Sequence, residues 1–147
     1  MAILCDYFAA ADDDAAAAVL GLDAGPTSAP GYDTVSLPGI EPMVTMLTLE
    51  ELLTGRAEDD VTENPRQGEV VADGPDGAMV VAITADLQAA LAAADDERLR
   101  QVAIDWADTE ELDGSNPDDL NGALIDLADL ARTAAERNQA LYCWLSE

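Results

Sequence analysis

Any chemistry in this chain has to be done by carboxylates and thiols. Its 147 residues hold 31 Asp and Glu and two Cys, with no His and no Lys; its six bases are all Arg. Without His there is no Ser-His or Cys-His nucleophile pair and no imidazole metal ligand. Without Lys there is no Schiff base and no phosphate-loop ammonium. Neither Gly-x-Ser-x-Gly nor Gly-x-Gly-x-x-Gly occurs. An enzyme would be left with a carboxylate pair or a carboxylate-bound metal.

The acids cluster at Asp12-Asp13-Asp14, Glu58-Asp59-Asp60, Asp95-Asp96-Glu97 and Asp118-Asp119. The first, third and fourth clusters begin predicted helices, where the dipole favours negative charge. The second falls in a polar, solvated connection. None has the calcium-loop spacing of alternating oxygen ligands, a central Gly and a terminal Glu. Asp113-Gly114-Ser115-Asn116-Pro117-Asp118 comes nearest, and Pro117 breaks it. No cofactor and no metal are expected.

Cys5 and Cys143 lie at opposite ends of the chain and form no disulfide framework. They read as small buried hydrophobes, which would approach each other if the terminal strands are neighbours. Neither sits in a basic setting that would activate a thiolate. Among the aromatics, Tyr142 and Trp144 share one face of the last strand, opposite Leu141, Cys143 and Leu145. An interior strand makes them core; an edge strand would offer Trp144 as an anchor for a partner. The candidate partner contacts are therefore Asp95, Asp96, Glu97, Glu58, Asp59, Asp60 and Trp144.

The elements that would position these residues follow from pattern and punctuation. Residues 2–8 read as a strand. Asp12 caps a helix, Ala15–Leu20, that ends at Gly21. A loop over 23–32 leads to a short extended piece, Asp33–Leu37, and a Pro38-Gly39 turn. Ile40–Leu47 reads as a helical turn. Thr48 and Glu51 read as a capping box whose helix runs to Gly55. Residues 56–67 read as a polar connection. Glu69–Asp73 and Ala78–Ile83 flank Gly74-Pro75-Asp76-Gly77, a hairpin pattern.

Thr84 starts a helix with Leu87, Ala90, Leu91 and Ala94 on one face. Asp95 opens the next, with Leu99, Val102, Ala103 and Trp106 at helical spacing. Asn116 and Pro117 open the longest, with a stripe of Leu120, Leu124, Leu127, Ala131 and Ala134. Arg132 and Arg137 fall towards its C-terminal end, where the dipole favours cations. Leu141–Leu145 is a final strand. The expected fold is one α+β domain over residues 1–147. Its small sheet comes from the terminal strands and a central hairpin, packed by four to five helices.

Of the apolar residues 28 are Ala, while 18 Leu with 14 Val and Ile supply the large side chains of the core. The net charge of −25 is spread along the chain. Codon bias, a high-salt interior and attraction to a basic partner each account for it. Six scattered Arg cannot offset this charge, so direct binding to nucleic acid is not expected. With no long apolar segment and no basic, apolar leader, a cytoplasmic location away from membranes is the expectation.

The order of elements resembles the small uncharacterised bacterial proteins of the YfbM-like group. The resemblance is carried by a Tyr-containing first strand and an acid-opened, Ala-rich helix. Leu49-Glu50-Glu51-Leu52-Leu53-Thr54-Gly55, a hairpin, a Leu-rich helix pair, and a long helix before Leu141-Tyr142-Cys143-Trp144-Leu145 complete it. It implies a fold and no activity.

The function expected by elimination is a non-enzymatic acidic binding protein, an immunity or inhibitor protein that neutralises a basic toxin or enzyme. An acidic face would speed encounter with such a target. Mimicry of nucleic acid towards a DNA-binding protein, a carboxylate-based enzyme and a housekeeping protein with acidic composition are the alternatives.

Overall fold

The computed structural model describes residues 4–21, 33–37, 40, 42–74, 77–112 and 114–146. The predicted loop over 23–32, the Pro38-Gly39 turn, the Pro75-Asp76 tip of the hairpin and Asp113 lie outside the described residues.

The terminal strands are neighbours. β1 (Leu4–Ala10) and β5 (Ala140–Ser146) run antiparallel, from Leu4 opposite Ser146 to Ala10 opposite Ala140. The predicted hairpin forms as β3 (Val70–Asp73) and β4 (Met79–Ala82), with a bulge between Val70 and Ala72. β4 also pairs with β5, so the last strand is interior. The short extended piece joins the sheet as β2 (Thr34–Ser36), antiparallel to β1, and the strand order is β2-β1-β5-β4-β3.

Alternation sends Cys5, Tyr7, Ala9, Leu141 and Cys143 to one face and Phe8, Ala10, Tyr142 and Trp144 to the other. Each face has its own core. Coverage on both sides is why the terminal strands read as continuous apolar runs.

The described residues form six helices: α1 (Asp13–Ala17), α2 (Thr45–Thr54), α3 (Glu58–Thr62), α4 (Ala85–Ala93), α5 (Asp96–Ala107) and α6 (Pro117–Glu136). Four of them start on side-chain caps, at the residues expected to open them. Asp12 accepts from Ala15 N, Thr84 from Leu87 N, Asp95 from Arg98 N and Asn116 from Asp118 N. The first face of the sheet carries the larger core. It is built from Met46 and Leu49 of α2, Leu87 and Leu91 of α4, Leu99, Val102 and Trp106 of α5, and the Leu and Ala stripe of α6. Two polar tips inside it are satisfied: Tyr7 Oη donates to Ile40 O at 2.5 Å and Trp106 Nε1 to Thr45 O at 3.2 Å. Ala16 of α1 and Val19 of the 3₁₀ turn that follows pack on the second face.

Four local expectations need correction. The first helix tightens into a 3₁₀ turn at Ala18–Gly21 rather than continuing as α-helix to Leu20. Thr48 is no cap: α2 starts at Thr45, and the Thr48 hydroxyl donates back to Val44 O at 3.2 Å. Its C-terminal stop is as expected, at Gly55 with φ 74°. The polar connection contains α3, a helix of five residues held by one fully buried side chain, Val61. Nor do Arg132 and Arg137 serve the end of α6. Arg132 donates to Ala92 O and Ala94 O at the end of α4, and Arg137 reaches across to Asp33. Among the described residues, no helix is long and apolar enough to cross a membrane.

Candidate functional site

The residues singled out from the sequence do not converge. Asp95 caps α5, with Asp96 and Glu97 exposed in its first turn. Asp95 and Glu97 line a shallow depression with Arg98, Arg100, Gln101 and Ile104. Neither Asp59 nor Asp60 lines it. Glu58, Asp59 and Asp60 instead form the first turn of α3, where Asp59 and Asp60 are exposed. Trp144 sits on the interior strand β5 and is 8% exposed, within the second-face core beside Phe8 and Tyr142. Of the two arrangements its spacing allowed, this is the core one.

Three other arrangements stand out. The first is a groove of about 470 Å³ between β2 and α6, lined by Asp33, Thr34, Val35 and Ser36 on one side and Asp126, Asp129, Leu130 and Thr133 on the other. Three carboxylates thus surround two apolar side chains. Arg137 holds Asp33 at 2.8 Å and Arg132 holds Asp129 at 3.2 Å. Asp126 is exposed and has no ion pair among the described residues.

The second is a buried acid. Glu50 is 1% exposed, and its Oε1 accepts a 2.5 Å hydrogen bond from the Thr84 hydroxyl. Its Oε2 has no hydrogen-bond partner. Burial raises the pKa of this carboxyl, and Asp86 pushes the same way; the Thr84 donor and Arg56 oppose them. The small cavity beside it is lined by Pro42, Met46, Gln67, Gly68, Ala82, Ile83 and Leu87. It leaves about 10 Å³ for the centre of a water, which is room for one. A buried acid beside so small a cavity can hold a proton, and the space admits no more than a water.

A third arrangement ties α1 to the sheet. Asp13 accepts from Arg66 at 2.8 and 3.1 Å and from Tyr142 Oη at 2.8 Å. Arg66 also holds Glu69 at 3.1 Å. The Arg66 bonds, then the Tyr142 bond, keep the Asp13 carboxyl below its usual range. Burial and the same bond raise the Tyr142 phenol, which keeps its proton as a donor.

Cys5 and Cys143 do approach. The register sets Cys143 opposite Tyr7 and Cys5 opposite Leu145, so both thiols lie diagonally on one face and are buried. Burial, and then the neighbouring Cys5, raise the Cys143 thiol well above its usual value, which suppresses the nucleophilic thiolate.

Among the described residues no three Asp, Glu or Cys side chains come together as a metal ligand set. No family model, curated protein or solved structure matches the chain. The sequence offered no sign of the groove, because its two walls lie some ninety positions apart. Glu50 did carry a sign. The buried positions of α2 are Thr45, Met46, Leu49 and Glu50, and a helical register counted from Met46 puts Glu50 on the inward face.

Proposed function

We propose that this chain is a non-enzymatic acidic binding protein that neutralises a basic protein, as an immunity or inhibitor protein does for a cationic toxin or enzyme. The observation that carries this reading is the use made of the arginines. Arg56, Arg66, Arg132 and Arg137 pair with acids of the chain, and Arg98 and Arg132 bond to main-chain carbonyls. These cations are engaged by the chain's own acids and carbonyls although their side chains stay exposed or partly so, while acids of α3, α5 and α6 face outward. A negative potential left uncompensated in this way draws basic proteins and accelerates docking.

Mimicry of nucleic acid asks for carboxylates at phosphate-like spacing along one face. Here the acid clusters begin separate helices, which favours a folded basic partner over that alternative. The YfbM-like order of elements brings no activity to either reading.

Affinity capture from the cells that make the protein, at low and at moderate salt, tests the proposal. One basic protein retained at both concentrations is expected. Many basic proteins at low salt and none at moderate salt would mark a housekeeping protein whose acidity is compositional.

A further inference from the structure

The groove between β2 and α6 has a form that net charge alone does not require. Its floor is apolar, with Val35 from the strand and Leu130 from the helix. Its rims carry Asp33 on one side and Asp126 and Asp129 on the other. Residues 126, 129 and 133 recur at helical spacing, so α6 presents them along one line while Leu127 and Ala131 turn into the core. At about 470 Å³ the space is within the range of sites that take a ligand or a set of side chains. The depression on α5 is larger, at about 550 Å³, but Arg98 and Arg100 balance Asp95 and Glu97 there, which leaves no net sign to select a partner. In the groove, by contrast, Arg137 and Arg132 pair with Asp33 and Asp129 and leave Asp126 in excess.

This step rests on the reading of the chain as a binder of basic proteins. The geometry points to the β2–α6 groove as the docking surface, and to its occupant as an extended segment of the partner in which basic and aliphatic side chains alternate. An Arg or Lys stem has methylenes to lay over Val35 and Leu130 while its cation reaches Asp126, the rim acid that no arginine of the described residues holds. The strand contributes as well. β2 is the outermost strand, and Asp33 O and Leu37 N turn inward to Ala9 N and Cys5 O at 3.4 and 2.8 Å. Antiparallel alternation therefore sends the main-chain groups of Ser36 outward, where an extended segment can pair. A purely apolar segment would leave Asp126 without a cation, and an acidic one would be repelled by it.

The test titrates a short blocked peptide of alternating arginine and valine into the protein at physiological salt, followed by backbone amide NMR. Two double variants change the charge equally: Asp126→Arg with Asp129→Arg, and Asp96→Arg with Glu97→Arg. All four positions are exposed, and the spectra themselves report that each variant is folded. The expected result is shift changes concentrated in 33–36 and 126–133, with affinity reduced about tenfold or more in the groove variant and less than about threefold in the other. Equal weakening in both, shifts spread over the helix starts, or no binding at all would overturn the groove assignment. Should the wild type and the groove variant capture the same basic protein equally well, the groove falls and the binding function stands. Should the wild type capture none, the binding function itself falls.

Discussion

One hydroxyl serves two helices: Thr84 Oγ1 donates to Glu50 Oε1 at 2.5 Å and accepts the Leu87 N–H at 3.0 Å. The second bond caps α4; the first fixes a buried acid of α2 against that cap. Because the only hydroxyl proton of Thr84 goes to Glu50, the acid must accept there. Its remaining oxygen has no hydrogen-bond partner, and Glu50 lines the one-water cavity. α2 and α4 are thus joined through a polar contact inside a largely apolar layer.

Thr84→Val should therefore cost more than an ordinary cap. Losing the cap costs about 1 kcal/mol, and leaving Glu50 Oε1 without its donor adds roughly 1–3 kcal/mol. Thr84→Ser keeps both bonds and should lose less than about 1 kcal/mol. Urea unfolding at fixed salt compares them. Equal losses in the two variants would show that the hydroxyl contributes nothing.

Glu50 also gives the stability curve a sign. Its folded pKa lies above the unfolded one, mainly through burial. Between those two values the unfolded chain binds fewer protons, so stability falls as pH rises. The contribution is complete below the ordinary carboxylate range and is lost as pH climbs through the folded pKa. Glu50→Gln cannot titrate. The stability of the wild type minus that of Glu50→Gln should therefore decline from acidic to neutral pH. A difference that stays flat or rises would mean that Glu50 is not held in its protonated form.

Asp13 behaves in the opposite sense. Its folded pKa is depressed by the Arg66 and Tyr142 bonds, so its contribution is present above the ordinary carboxylate pKa and lost as pH falls through the lower value. Tyr142→Phe removes one donor and should cost about 1 kcal/mol at neutral pH. A double-mutant cycle with Asp13→Asn should return a coupling of roughly 0.5–1.5 kcal/mol there, fading in acid. Zero coupling at neutral pH would show that the Tyr142 hydroxyl does not hold α1.

What the sequence made legible was whatever local rules determine. Asp95 before a helical stripe, Asn116-Pro117 before a longer one, and apolar runs at both termini led to α5, α6 and the β1–β5 pair. What escaped it depended on contacts. Among the described side chains of α3 only Val61 is buried, too little for a periodic signal. Thr48 and Glu51 fit a capping box, yet Thr45 and Met46 are buried, and their packing extends the helix one turn upstream. That shift in start also concealed Glu50. The groove needs Asp33 and Asp126 side by side, and only the sheet order supplies that.

The uncompensated surface makes a last prediction about salt. The ion pairs among the described residues are solvent-exposed or partly so, and such pairs contribute at most about 1 kcal/mol each. Against them stand 31 acids and six bases, most of the acids having no cation beside them. Raising NaCl from about 0.01 to 0.15 M shortens the screening length from about 30 to 8 Å, which weakens both terms. The attraction involves few close pairs and the repulsion involves many distant ones, so screening removes more repulsion than attraction. Stability should rise with NaCl, and the melting temperature should gain about 2–4 °C for each kcal/mol recovered. Chloride is preferable to sulfate, which strengthens apolar burial through exclusion and would raise stability for a different reason. A melting temperature that falls as NaCl is added would show that the arginine pairs, not the acid excess, govern the electrostatics of this fold.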